Sequence, residues 1–456
     1  MTDTLNAHND KPFREALGDR LILKDTPGYR EAREGAVWRA NKPRRYPEAV
    51  VMAESDADVV AAAKLAKAMG WKIGVRSGGH GWSSAHVRDG ALLIDLSRMQ
   101  EVEYDAETQT VSVRPSVKGK KINEVLLPLG RQFPGGHHNT VAIGGFSMCG
   151  GFGWNAREWG NGSEQILALD VVTADGELIH ADETQNTEFL WAARGAGTGY
   201  FAAVTRLKLS THPKREACFR RTYTFTLAEL GELIHWASTV YAQVPRNVEM
   251  VISAYSYDPD GNWAPTRIVL SAIAFTDSEE EAKASLAYVD TCPILDRAYM
   301  KKPFAPFLLE DGYAFGTAAD PEGMRYATDS VYLDANPEVL AVRLQELFKT
   351  LPTPRSHVFW LNWGPVRPWK DMALSIQADI YVAAYSVWSD EAEDSRMEAW
   401  PVEQMRKLED ISKGSQMNDE NMKSRPSKYL SDAAAARLEE LRAKHDPFKR
   451  FVSFYK

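Results

Sequence analysis

Apolar positions change their period twice between residues 49 and 75. Ala49-Val50-Val51-Met52-Ala53 is a continuous apolar run, short enough to be a buried strand. From 56 to 69 the apolar residues Val59, Ala62, Ala63, Ala66 and Met69 recur every three or four positions, which is one face of a helix. Ser55 is placed to cap that helix, Asp58 supplies the acid at its third position, and Gly70 ends it. Trp71-Lys72-Ile73-Gly74-Val75 then returns to a buried strand. The pattern predicts a β-α-β unit, preceded over 7–40 by a helical or irregular lead-in.

Further along, Val102, Tyr104, Val111 and Val113 alternate and predict a hairpin over 101–116. A helix is expected over 120–129 with Ile122, Val125 and Leu126 inward, closed at Gly130. Strands are expected over 166–173 and 201–209, with a turn at Asp175-Gly176 and a helix over 188–194. Pro213 marks a change of texture. Strands over 220–226, 249–257 and 267–275 mix with helices over 227–241 and 279–289, and Asp258-Pro259-Asp260-Gly261-Asn262 is the turn between two of the strands. That mixture predicts an antiparallel sheet covered by helices. Stretches 357–363 and 378–388 are dense in aromatic residues, most of them expected in the core, with one or two lining a pocket. Helices are expected over 391–412 and 433–445, and the polar stretch before Lys428 reads as disordered.

The chain has 456 residues, enough for two or three domains, with 44% hydrophobic and 25% charged residues, ordinary for a globular protein. A net charge of −8 argues against nucleic acid or an anionic membrane as the main partner. No apolar run is long enough for a membrane span, and Met1-Thr2-Asp3-Thr4-Leu5-Asn6 has neither basic nor apolar targeting character. A cytoplasmic location is expected. Cys149, Cys218 and Cys292 have no metal-like spacing, and neither a disulfide framework nor a metal site is expected.

Two glycine-rich blocks carry the candidate chemistry. The first, Val75-Arg76-Ser77-Gly78-Gly79-His80-Gly81-Trp82, follows a strand. Its glycines allow a tight turn and close approach of backbone to a ligand, its N–H groups can form a nest for phosphate oxygens, and Arg76 adds a suitable charge. His80 ends the nest with a nucleophilic ring nitrogen. The second block runs from Gly135-Gly136-His137-His138-Asn139-Thr140-Val141 through Gly144-Gly145 to Cys149-Gly150-Gly151-Phe152-Gly153. A lone Gly-Gly-His would favour a glycine-rich turn with a hydrogen-bonded surface histidine, and the second block has its own reading as a packed turn between strands; two such blocks in one domain favour contact with a flat, diphosphate-bearing cofactor. Gly195-Ala196-Gly197-Thr198-Gly199 is not a dinucleotide fingerprint, because a strand rather than a helix follows it.

Arg76-Ser77-Gly78-Gly79-His80-Gly81, followed by Leu93-Ile94-Asp95-Leu96-Ser97, resembles the flavin-attachment segment of the berberine-bridge-enzyme-like family, within the FAD-linked oxidases of the vanillyl-alcohol-oxidase type. The second block, with Arg157-Glu158-Trp159-Gly160 after it, and the run from Phe189 to Thr205 are similar to further segments of that family. The resemblance implies an α+β protein with a two-domain FAD-binding (PCMH-type) fold and an antiparallel-sheet substrate domain covered by helices. It divides the chain into a FAD-binding domain at 1–212, a substrate domain at 213–414 and a segment at 415–456 that returns to the first. It assigns FAD contacts to Arg76, Ser77, Gly78, Gly79, His80, Gly81, Thr140, Val141, Gly144, Gly145, Cys149, Gly150, Gly153 and Trp154. A covalent bond from His80 to the flavin 8α-methyl group is implied. Some members add a second bond from a cysteine, but His138 stands at that place here, so a single attachment and a more enclosed site for small substrates are expected. Val141 falls where some members govern oxygen access, although Ala142 replaces the usual glycine.

The implied reaction is that of an oxidase: hydride passes from a C–H of a small alcohol, phenol or amine to flavin N5, and O2 reoxidises the flavin to give H2O2. Tyr429, matched to a tail tyrosine of the family, is the first candidate for the base; Asp329 and Tyr332 on the expected substrate strand, and His138, follow. Open alternatives are a dehydrogenase of the same fold with another acceptor, a sugar oxidase, and a flavin-retaining binding protein without turnover.

Overall fold

The computed structural model describes residues 11–258 and 261–453. The opening segment Met1 to Asn6 and the middle of the turn after Asp258 lie outside them.

The β-α-β unit forms as the pattern dictates. Strand Ala49–Met52 leads into helix Asp56–Met69, and strand Lys72–Arg76 follows. Ser55 accepts from the Asp58 N–H while the Asp58 carboxylate accepts from the Ser55 N–H, and Gly70 closes the helix at φ 69°. Ala49–Met52 and Lys72–Arg76 flank Ala91–Asp95 in parallel, and Leu21–Leu23 adds an antiparallel edge. Ile73, Leu92 and Ile94 from this sheet, Val59 and Ala62 from the helix, and Val172 and Ala203 from the next sheet share one core. The helix therefore joins two sheets.

The second sheet is antiparallel, in the order Val102–Asp105, Thr110–Val113, Ala203–Ser210, Ile166–Val172, Leu178–Ala181. Its core also holds Leu430, Leu438 and Leu441, the last two on helix Asp432–His445 near the end of the chain. Phe451 then bridges to Ile73 of the first sheet, and the Val452 N–H donates to the Ile73 carbonyl at 2.9 Å.

The third sheet has eight strands, ordered Met300–Pro306, Ala217–Phe225, Trp263–Thr276, Val248–Tyr257, His357–Asn362, Ile380–Trp388, Arg325–Leu333, Ser412–Gly414. All its pairings are antiparallel. Alternation sorts its two faces. Met250, Ile252 and Ala254 pack with Leu233 and Ile234 of helix Leu230–Val240 and Leu340 of helix Pro337–Arg343, while Glu249, Val251, Ser253 and Tyr255 face a cavity.

Arg157 joins the second block to this sheet. Its buried guanidinium donates to the carbonyls of Pro245 and Gly364, both at 2.7 Å, and of Val244 at 3.2 Å. The polar stretch before Lys428 is not disordered. Ser415 Oγ donates to the Ser330 carbonyl at 2.8 Å, Gln416 Nε2 donates to the Cys149 carbonyl at 2.9 Å, and Arg425 is buried against Asp329. Several of its polar groups are held by protein partners.

Candidate active site

A cavity of about 580 Å³ runs from the first glycine-rich block to the concave face of the eight-stranded sheet. At one end, the main-chain N–H groups of Gly78, Gly79 and His80 donate to no acceptor among the described residues, so the nest is open to an anion. The glycines are needed to build it. Gly79 sits at φ 74°, where a Cβ would fall 2.4 Å from the Ala36 carbonyl oxygen, and a Cβ on Gly78 would fall 2.6 Å from that of Ala142. Arg76 stands beside the nest but is held by Asp95 at 3.0 Å, so its charge is already shared. Lys118 is a nearby cation; burial, reinforced by Arg76, lowers its pKa to about 8.

His80 lies in the cavity wall, stacked on Trp38 with ring centroids 4.5 Å apart. Its Nε2 bonds to Thr140 Oγ1 at 2.8 Å, and that hydroxyl also bonds to His138 Nδ1 at 2.9 Å. Burial first, then the neighbouring His138, Lys118 and Arg76, holds the His80 imidazole well below its ordinary pKa. The neutral ring with one nitrogen fixed is the form a nucleophile requires.

Of the second block, Val141, Gly144, Gly145, Cys149 and Trp154 line the cavity, as Arg76, Ser77 and Gly81 do from the first. Thr140 acts from behind, through His80 and His138. Gly150 and Gly153 do not face the cavity. A Cβ on Gly150 would meet the Leu374 side chain at 2.6 Å, and one on Gly153 the Pro134 carbonyl oxygen at 2.0 Å; both are glycines because of packing. Burial pushes the Cys149 thiol far above its usual range, so it is inert.

Three of the four residues expected to act on substrate do not line the cavity. Tyr429 is outside the cavity wall, packed against the core of the second sheet, and burial raises its phenol strongly. Asp329 is locked in a buried bidentate pair with Arg425, both contacts at 2.6 Å. Tyr332 does not line the cavity itself but is on its face of the sheet, opposite Tyr381: it donates to Gln416 Oε1 and meets Phe152 edge-on at 6.2 Å, both of them lining residues. His138 alone is in the cavity, with its Nε2 3.1 Å from the Asp320 carbonyl oxygen.

A buried carboxylate that the cavity does contain comes from the tail, with partners from the sheet and the first block. Asn418 reaches between the two glycine blocks: its Oδ1 lies 3.2 Å from where a Gly81 Cβ would be, and its Nδ2 3.9 Å from that of Gly145. The adjacent Asp419 accepts from Trp82 Nε1 at 2.8 Å and from the Tyr381 hydroxyl at 2.7 Å. The Tyr385 phenol stands beside it. Burial lifts the Asp419 carboxyl above the usual carboxylate range. Trp82 meets Tyr385 edge-on at 5.9 Å and Trp38 at 6.0 Å, so an aromatic wall connects this carboxylate to His80. The sequence signals were present but weak. Tyr381 and Tyr385 share a strand face at a spacing of four, and Asp419 stands in a polar run indistinguishable from a solvated loop.

Comparison with known proteins places the chain among FAD-linked oxidoreductases. A family described as "FAD binding domain" matches residues 47–182. The chain is 34% identical to FAD-linked oxidoreductase nodO of Hypoxylon pulicicidum, over 91% of this chain and 92% of the relative. Among solved structures it resembles BBE-like 1 of Physcomitrella patens (TM-score 0.82, 19% identity, 97% of each chain). It also resembles 6-hydroxy-D-nicotine oxidase of Arthrobacter nicotinovorans (TM-score 0.80, 19% identity, 94% of this chain and 96% of the other). No helix among the described residues is long and apolar enough to cross a membrane.

Proposed function

The chain belongs to the berberine-bridge-enzyme-like family of FAD-linked oxidoreductases, and from that premise we propose that it is an oxidase of a small alcohol, phenol or amine. FAD, when bound, supplies the acceptor for the substrate hydride and passes the electrons to O2, giving H2O2. The Gly78–His80 nest holds its diphosphate, the neutral His80 imidazole carries a single covalent attachment, and Thr140 fixes that ring.

The observation that carries the proposal is Asp419, a buried carboxylate in the same cavity wall as His80, held by Trp82 and Tyr381. Tyr381 can take the proton of a substrate O–H or N–H while handing its own to Asp419 Oδ2. Trp82 Nε1 keeps the carboxylate aimed at Tyr381. Burial raises the pKa of Asp419, the direction that makes a carboxylate a stronger base.

The test is a peroxide-coupled screen of small alcohols, phenols and amines in air, on the enzyme as purified, beside Asp419→Asn. Turnover with peroxide, lowered by about 10²–10⁴ in the variant at unchanged flavin content, is expected. Flavin bleaching without peroxide would indicate a dehydrogenase, and a fully active Asp419→Asn enzyme would remove the base assignment.

A further inference from the structure

The strand pairings lay out the cavity floor as rows of side chains on one face. One row reads Thr222, Ser271, Val251, Leu361, Tyr381 across five strands. The next reads Arg220, Ile273, Glu249. All eight residues line the cavity. Tyr381, at one end of the first row, belongs to the proton-handling dyad. Thr222, at the other end, is four strand spacings away, about 19 Å between backbones at ~4.8 Å per strand.

Arg220 stands at that remote end. No carboxylate among the described residues pairs with it; its recorded neighbour is the Phe307 ring, 6.0 Å from the guanidinium carbon. Its Nε is shielded from solvent and has no hydrogen-bond partner. Glu249, two strands away, is engaged with His137 Nε2 at 2.6 Å, and Ile273 stands between the two. The hydroxyls of Thr222 and Ser271 lie one row away, and neither has a partner among the described residues. A cation and two hydroxyls thus line the same end of the cavity, and the buried Arg220 Nε is left without an acceptor. The floor between them and Tyr381, Val251 and Leu361, is apolar.

We propose that Arg220, Thr222 and Ser271 form a carboxylate subsite, so that the substrate is an elongated molecule with an apolar middle, an oxidisable hydroxyl or amine at one end and a carboxylate at the other. The carboxylate docks on the guanidinium through charge-assisted hydrogen bonds and receives the two hydroxyls. Its anchoring sets which carbon reaches Tyr381. The substrate class rests on the oxidase reading above; the subsite itself does not.

The experiment is calorimetric and needs no turnover. The enzyme as purified is titrated with ω-phenylalkanoates of increasing chain length and with the matching primary amides, beside Arg220→Gln and Arg220→Lys. The acids are expected to bind at least ~10-fold more tightly than the amides, with an optimum chain length. Arg220→Gln should abolish that preference and Arg220→Lys should retain part of it, with thermal midpoints of all three proteins alike. Equal affinity for acid and amide in the wild type, including no binding of either, would overturn the proposal, as would a preference that survives in Arg220→Gln. Failure to produce peroxide leaves these binding outcomes unaffected, so the two readings fail separately.

Discussion

Replacing Arg425 with methionine tests whether the Asp329 pair is a latch for the tail. Asp329 is fully buried and both its oxygens accept from Arg425 at 2.6 Å; Ser330 N–H adds a third bond at 2.8 Å. Arg425 also donates to the Ser330 carbonyl and to Ser415 Oγ, both at 2.8 Å, which ties residues 415–425 to the substrate strand. Arg425→Met strands a buried carboxylate that burial already pushes upward, and the cost of breaking such a pair is about 3–5 kcal/mol. Urea unfolding followed by tryptophan fluorescence reads this as a lowered midpoint at unchanged slope. Because the pair is buried, 1 M salt should barely alter the difference. Asp329→Leu combined with Arg425→Met removes both charges and should recover most of the loss. The single variant should also lose peroxide formation, since the segment it ties down carries Asp419. A loss below ~1 kcal/mol in Arg425→Met, or a double variant no more stable than the single one, would refute the reasoning.

Other outcomes follow from the same geometry. Burial raises the Glu420 carboxyl to about 8, so the native state holds a proton that the unfolded chain releases above the ordinary glutamate range. Stability should fall as pH rises toward about 8, with a limiting slope of ~1.4 kcal/mol per pH unit, and Glu420→Gln should flatten that part of a pH series of denaturation midpoints. Since the base must be ionised, kcat/KM should rise through an acid limb above the usual carboxylate range, and a limb unchanged in Asp419→Asn would count against Asp419. Gly316→Ala puts a Cβ 2.7 Å from the His137 carbonyl oxygen, which lifts helix Leu309–Ala319 from the cavity; a raised KM and faster amide exchange in that helix are expected, and no change would mean the contact relaxes freely. After acid precipitation the yellow chromophore should stay in the pellet of wild-type protein and leave it in His80→Ala, whereas release from both would exclude a covalent bond.

The flavin half was largely legible in the sequence because local rules fix it. The Ser55 capping box, the αL glycine at 70 and the tight turn at Gly78-Gly79 each follow from residues a few positions apart. The acid–base group was not, because tertiary contacts make it. Asp419 is a base candidate only because Trp82 and Tyr381, more than 300 and nearly 40 positions away, surround it. Nothing within the run Asn418-Asp419-Glu420-Asn421 distinguishes a buried carboxylate from a solvated one. Tyr429 sat in a tail stretch that matched the family, yet its side chain packs on the second sheet, and a motif match carries no direction for a side chain. Asp329 lies in the expected strand but on the face turned away from the cavity, paired with Arg425, whereas Tyr332 is on the cavity face opposite Tyr381, with its hydroxyl given to Gln416.

The bridge between Phe451 and Ile73 has a consequence for the order in which the molecule can be made. Strand Lys72–Arg76 leaves the ribosome early, yet it acquires its last partner only when residues 450–452 emerge: Ile73 N–H donates to the Arg450 carbonyl, and Val452 N–H returns to Ile73. Arg442, just upstream, donates to the Gly199 and Phe451 carbonyls and fastens the same closure. The strand that leads to His80 therefore stays an unsealed edge until residues 450–452 have been made. The edge of the strand that leads into the nest is thus sealed by a long-range contact and not by the β-α-β unit alone.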